Sequence, residues 1–130
     1  MEQEGLKFYR CNNCGNLLLT IIDPDVTPTC CGSSMEILQA NKLHDGAEKH
    51  VPIIENENGI INVKVGIQPH PMTPEHRIEW VALFNGSSVE IQKLGLTSDP
   101  VATFTNIKNE GGKLHAYSFC NIHGLWSSEK

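Results

Sequence analysis

Apolar residues along this chain occur in short runs, each closed by glycine, proline or asparagine. The first, Leu17-Leu18-Leu19-Thr20-Ile21-Ile22, lies between Gly15 and Pro24. It is shorter than a dependable helix and reads as a strand, after which Asp23-Pro24-Asp25 turns the chain. Further runs predict strands over Val51–Glu55, Gly59–Gly66, Ile78–Asn85, Val89–Leu94, Val101–Ile107 and Lys113–Cys120. Asn56-Glu57-Asn58, Asn85-Gly86-Ser87-Ser88 and Glu110-Gly111-Gly112 supply turns between them. No long stretch shows the period of an amphipathic helix. The pattern predicts an all-β chain whose larger part is an antiparallel β-sandwich.

The chain also divides by chemistry. Residues 1–38 carry Cys11, Cys14, Cys30 and Cys31; residues 41–130 carry every histidine and Cys120. The join around Gln39-Ala40-Asn41-Lys42 is short and mostly polar. A part of some 38 residues buries too little apolar surface to fold unaided, so the first needs a metal or a partner subunit.

At 130 residues, with 39% hydrophobic and 19% charged residues, the composition is that of a globular chain. A formal net charge of −5 argues against nucleic acid as the main partner, since phosphate binding needs a basic stripe. No segment approaches the roughly 20 apolar residues of a membrane span. The acidic start Met1-Glu2-Gln3-Glu4-Gly5 has no apolar secretory core, so a cytoplasmic address is expected. Five cysteines are an odd number, which rules out a complete intramolecular disulfide framework. Reduced and clustered cysteines in that compartment point to metal binding.

Two constellations follow. Cys11-Asn12-Asn13-Cys14 is a C-x2-C knuckle, and fifteen residues later come Cys30-Cys31. Four thiolates suit tetrahedral zinc or iron. Gly15 and Gly32 let the backbone curl so that N–H groups can point at sulfur. The second set is more dispersed. Cys120-Asn121-Ile122-His123 sets a thiolate and an imidazole three positions apart. His70-Pro71-Met72-Thr73-Pro74-Glu75-His76 is a proline-stiffened loop with histidine at each end, and His50 begins a strand. Imidazoles with one thiolate suit iron, copper or zinc. A blue-copper site would want an axial methionine soon after His123, and none follows. His44 and His115 lack such context and are read as non-ligands. Trp80 and Trp126 are read as core or site-shielding residues.

In this order the two constellations resemble desulfoferrodoxin, the two-iron class of superoxide reductase. The matching pieces are Cys11-Asn12-Asn13-Cys14-Gly15 with Cys30-Cys31, Glu48-Lys49-His50-Val51-Pro52, His70-Pro71-Met72, Glu75-His76 and Cys120-Asn121-Ile122-His123-Gly124. The ordered set is specific and spans essentially the whole chain. The resemblance implies a desulforedoxin-like (rubredoxin-like) module over 1–38, holding one iron by four cysteines. It implies an immunoglobulin-like β-sandwich over 41–130, holding a second iron by His50, His70, His76, His123 and axial Cys120. The smaller class lacks the first iron; this chain keeps all four of its cysteines. The resemblance further implies one-electron reduction of superoxide to hydrogen peroxide, re-reduction by an external rubredoxin-like donor, and a homodimer. It gives Lys49 the role of attracting superoxide and Glu48 that of capping the oxidised iron. Backbone N–H groups of Ile122 and His123 are expected to bond the Cys120 sulfur. A non-catalytic iron electron carrier and a zinc-stapled interaction module are the competing readings.

Overall fold

The computed structural model describes residues 5–41, 47–96, 99–109 and 111–130, with the side chain of Glu48 outside the described set. His44 also lies outside it. Two compact units are present, Met1–Gln39 and Ala40–Lys130.

The first unit is built from very short strands. β1 (Lys7–Arg10) pairs antiparallel with β2 (Leu17–Thr20) on one side. On the other it pairs with β5 (Glu36–Ile37). β3 (Thr29–Cys30) and β4 (Ser33–Ser34) form a separate hairpin. The predicted strand over Leu17–Ile22 stops at Thr20, and Ile21 and Ile22 are almost fully exposed. One buried cluster of the unit consists of Tyr9, Cys11 and Met35 with Cys30 packed against it, and Phe8 is buried as well. A ligand cysteine thus occupies the place of a core residue, as the small size of the unit requires.

The second unit is a two-sheet β-sandwich. One sheet has the order β10 (Val101–Phe104), β7 (Ile60–Val65), β6 (Pro52–Glu57). The other has the order β12 (Gly124–Glu129), β11 (His115–Cys120), β8 (Ile78–Phe84), β9 (Val89–Lys93). All pairings within them are antiparallel. Ile61, Val63 and Val65 of β7 alternate inward and meet Ile78, Val81 and Leu83 of β8, with Phe104 and Ala116 in the same core. Cys120 is itself a member of that core.

The hairpin joining β6 and β7 is one residue tighter than the sequence suggests. β6 runs on to Glu57, and the turn is Asn58-Gly59, with φ of 51° and 81°. A two-residue turn with both central φ values positive matches the right-handed twist of the strands, and Asn-Gly is the pair best suited to it. At the other hairpin the Asn85 carboxamide oxygen accepts the N–H groups of Ser87 and Ser88 at 3.0 and 2.8 Å. Among the described residues the strands beyond those read from the apolar runs are β1, β3, β4 and β5 in the first unit and β12 in the second, and the one helical turn is α1 (Ala47–His50).

Candidate metal centres

The four cysteines of the first unit converge. Their sulfurs lie within 4.8 Å of one another. Cys14 Sγ is 3.6 Å from Cys30 Sγ, and Cys30 Sγ is 3.9 Å from Cys31 Sγ. These are not disulfide distances, and all five cysteines are free. The knuckle closes as its glycine spacing suggests: Gly15 has φ of 82°, its N–H donates to the Cys11 carbonyl at 2.8 Å, and the Cys14 N–H reaches Cys11 Sγ at 3.5 Å. The Cys14 and Asn13 N–H groups lower the Cys11 thiol to about 6. Cys30, crowded by the Cys11 and Cys14 thiols, is raised to about 12. Four free sulfurs gathered this closely match a site that a cation completes. No position is left over, so the chemistry of this set is electron transfer or structural closure rather than substrate binding.

In the second unit four imidazoles form a ring. Adjacent centroids are separated by 4.6 Å (His50–His70), 4.6 Å (His70–His76), 5.0 Å (His76–His123) and 4.8 Å (His123–His50). The His50–His76 diagonal is 6.3 Å, close to √2 times the sides, so the four are the corners of a near-square. His50 Nε2 sits 3.1 Å from His70 Nε2 and 3.1 Å from His123 Nδ1. Ligand atoms of His50, His70, His76 and Cys120 all fall within 4.8 Å of one another, and His123 Nδ1 is 3.7 Å from Cys120 Sγ. The five residues expected as ligands therefore lie together, while His115 stands apart in a pair with Glu129.

Each ligand is held by the fold. The His70 Nδ1–H donates to the Pro71 carbonyl at 2.7 Å, which leaves Nε2 unprotonated and directed at the cluster. Burial, reinforced by the other imidazoles, depresses His70 to about 4, so it is neutral at pH 7. His76 is also lowered, first by burial and then by the charges of His123 and Lys49. His76 Nε2 is buried with no hydrogen-bond partner. A buried polar nitrogen left unbonded is costly, and its place in the square is what a metal ligand requires. Cys120 is fully buried at the end of β11, where the His123 N–H donates to its sulfur at 3.4 Å. Among the described residues Ile122 makes no such bond.

One supporting residue, Ser118, was not singled out in the sequence, and the tryptophans gain definite contacts. The Ser118 hydroxyl, fully buried, donates to the His50 carbonyl at 2.8 Å. Trp126 stacks on His50 at 4.7 Å and 16°, while its indole N–H donates to the His123 carbonyl at 3.2 Å. Its expected shielding role is thus a direct support of two ligands. Trp80 stacks on Phe119 in the sheet. Met72 packs against the hydrophobic core.

The family model for desulfoferrodoxin matches residues 42–129. The chain is 40% identical over 126 residues to a desulfoferrodoxin of Syntrophotalea carbinolica, covering 97% of this chain and 98% of that one. The chain belongs to the desulfoferrodoxin family. A desulfoferrodoxin homologue of Archaeoglobus fulgidus is 36% identical over 125 residues, covering 96% of this chain and 98% of its own. In structure, the chain is similar to the superoxide reductase from Treponema pallidum. It superposes with a TM-score of 0.77 at 30% identity, over 95% of this chain and 97% of that one. The four-cysteine and the four-histidine, one-cysteine groups match the two iron sites of desulfoferrodoxin.

Proposed function

We propose that the chain is a superoxide reductase with two irons, one held by Cys11, Cys14, Cys30 and Cys31 and one by His50, His70, His76, His123 and Cys120. The observation that carries this reading is the square of four imidazoles with one thiolate buried beside it. These five residues would hold the iron, which would supply the single electron that superoxide takes up with two protons to become hydrogen peroxide.

The protein's own part is electrostatic and geometric. Neutral imidazoles leave the centre positively charged towards an anion, and the Pro71 carbonyl keeps His70 in the required tautomer. Cys120 supplies the electron-rich donor from the dry side, and the His123 N–H moderates it. His123 is exposed and His76 partly so, which gives a small anion a route in. Lys49 is exposed on α1, and its charge is felt at His76. It draws superoxide inward and orders water that supplies protons. Glu48, next to Lys49 in the sequence, would offer the oxidised centre a carboxylate, a hard donor suited to ferric iron.

The reductant is an external rubredoxin-like protein, and the chain works in the cytoplasm as a homodimer. The slight core of the first unit and its exposed Ile21, Ile22 and Val26 support a partner subunit. An odd number of cysteines, four of them clustered, fits a reducing compartment. No helix among the described residues is long and apolar enough to cross a membrane.

The test is pulse radiolysis of the reduced, iron-loaded protein. Superoxide should disappear in a fast second-order step, with one peroxide formed per histidine-bound iron oxidised. Oxygen release in dismutase proportion refutes the reading. Glu48→Ala should change the visible spectrum of the oxidised protein; an unchanged spectrum removes Glu48 from its role.

A further inference from the structure

The four imidazoles are not secured alike. His70 is tied through its own ring to the Pro71 carbonyl. His50 is stacked on Trp126 and held at its carbonyl by Ser118. His123 shares a tight turn with Cys120. His76 has a ring nitrogen, Nε2, that is buried and bonded to nothing, so its aim depends on where its backbone is held.

Two residues hold that backbone. Thr73 closes the local turn: its hydroxyl accepts the His76 N–H at 3.1 Å, and its own N–H donates to the His76 carbonyl at 3.0 Å. That fixes the shape of the loop but not its position relative to the other ligands. Position comes from Asn121, the residue after Cys120. Its carboxamide oxygen accepts the Arg77 N–H at 2.8 Å, and its carboxamide nitrogen donates to the Glu75 carbonyl at 2.9 Å. Its backbone N–H donates to the Arg77 carbonyl at 3.1 Å. The three bonds grip both neighbours of His76 from a residue covalently joined to the thiolate ligand. They continue the β8–β11 ladder past the irregular register at Phe119/Cys120, where Phe119 faces Trp80 but Cys120 faces Ile78.

We infer that Asn121 is a positioning residue that sets His76 in register with Cys120, so that the square and the thiolate form one site. The inference rests on the five donors being a metal site. An apolar residue at 121 leaves the Glu75 carbonyl and the Arg77 N–H without these partners and frees the His76 loop to swing away. Removal of groups that orient ligands from behind characteristically weakens metal binding by about 10- to 100-fold.

The experiment uses the full chain and zinc ion as the probe. Zinc affinity of the histidine site is measured by competition with a chelator, and ring nitrogens are followed by histidine side-chain NMR. Asn121→Ala should lose about 10- to 100-fold in affinity, with the His76 ring signal failing to reach its bound position while those of His50 and His70 do. Asn121→Asp keeps the acceptor for Arg77 and loses the donor to Glu75, so it should fall between. In a His76→Ala background Asn121→Ala should cost nothing further, because the ligand it serves is gone. An undiminished affinity in Asn121→Ala, or an equal loss with and without His76, overturns the inference. A wild-type chain that binds no zinc through its histidines overturns the metal-site reading and the inference with it. A chain that binds zinc as described but consumes no superoxide when iron-loaded overturns the proposed activity and leaves the role of Asn121 standing.

Discussion

Gly66, just after β7, lies against the backbone of the turn that carries Lys49 and His50. Its φ is +86°, and its N–H donates to the Val51 carbonyl at 2.9 Å. A Cβ added there would lie 2.6 Å from the Gln68 carbonyl oxygen and 2.7 Å from both Cα and C of Lys49. Those are main-chain atoms, which cannot rotate aside. Gly66→Ala therefore incurs two penalties. The left-handed conformation costs a side-chain-bearing residue about 1–2 kcal/mol. Forcing the backbone of Lys49 away adds about 1–3 kcal/mol of overpacking. Gly86 separates the two: its φ is +102°, but nothing lies within 4 Å of its added Cβ. Gly86→Ala should show the conformational penalty alone. Urea unfolding of both variants should place Gly66→Ala about 1–3 kcal/mol below Gly86→Ala. The shift also moves Lys49 and the adjoining ligand His50, and displacements near 1 Å can cost as much as 100-fold in rate. The superoxide step should slow in Gly66→Ala and stay unchanged in Gly86→Ala. Equal destabilisation, or an unaltered rate in both, refutes the claim that Gly66 sets the position of α1.

Three further outcomes are expected. Lys49→Ala should slow the bimolecular reaction with superoxide by about tenfold or less at low salt and flatten its salt dependence, since one steering charge is removed; identical rates at two ionic strengths in both proteins would dismiss the steering role. In the metal-free protein His70 has a folded value of about 4 against about 6.5 unfolded, so the unfolded chain binds the proton more readily between them. Its contribution to stability is complete above about pH 6.5 and is lost as pH falls towards 4; urea midpoints at pH 7.5, 6 and 4.5 should drop, and less so in His70→Gln. Cys14→Ser should cut the iron content from two per chain to one, with amide exchange accelerated in Met1–Gln39 and unchanged in Ala40–Lys130; exchange accelerated throughout would contradict independent units.

The ligands were legible because their chemistry leaves a mark in spacing: a C-x2-C knuckle, a C-x2-H loop, and a proline-stiffened loop with histidine at both ends. The long strands were legible for a similar reason, as β7 alternates buried Ile61, Val63 and Val65 with more exposed neighbours. What escaped is what has no period or no characteristic residue. β3, β4 and β5 have two residues each, too few to alternate. β12 reads Gly-Leu-Trp-Ser-Ser-Glu, two apolar residues followed by polar ones, and it is fixed as a strand by pairing with β11 along its whole length. Ser118 and Asn121 look like an ordinary strand serine and an ordinary turn asparagine; only their partners, on segments 68 and 44–46 residues away, give them meaning. Gly66 did carry a usable signal, an isolated glycine at the end of an apolar run, which often marks close approach of another backbone.

These supports explain how a precise square can be built from connections rather than from strands. His50, His70, His76 and His123 all lie between strands, and only Cys120 is on one. Loops drift relative to a sheet unless their polar groups are tied to it, because each free rotation lost must be offset by a bond. Here the ties lead to the buried sheet. Ser118, two residues before Cys120 on β11, holds the His50 carbonyl, and Asn121, one residue after it, holds both flanks of His76. Trp126, on β12 beside β11, backs His50 with its ring and His123 with its N–H. One strand pair is thus the common reference for the thiolate and for three of the four imidazoles. His70 alone is fixed locally, through Pro71. Loosening the end of β11 should therefore disturb His50, His76 and His123 together while leaving the tautomer of His70 intact, an asymmetry that histidine NMR can read directly.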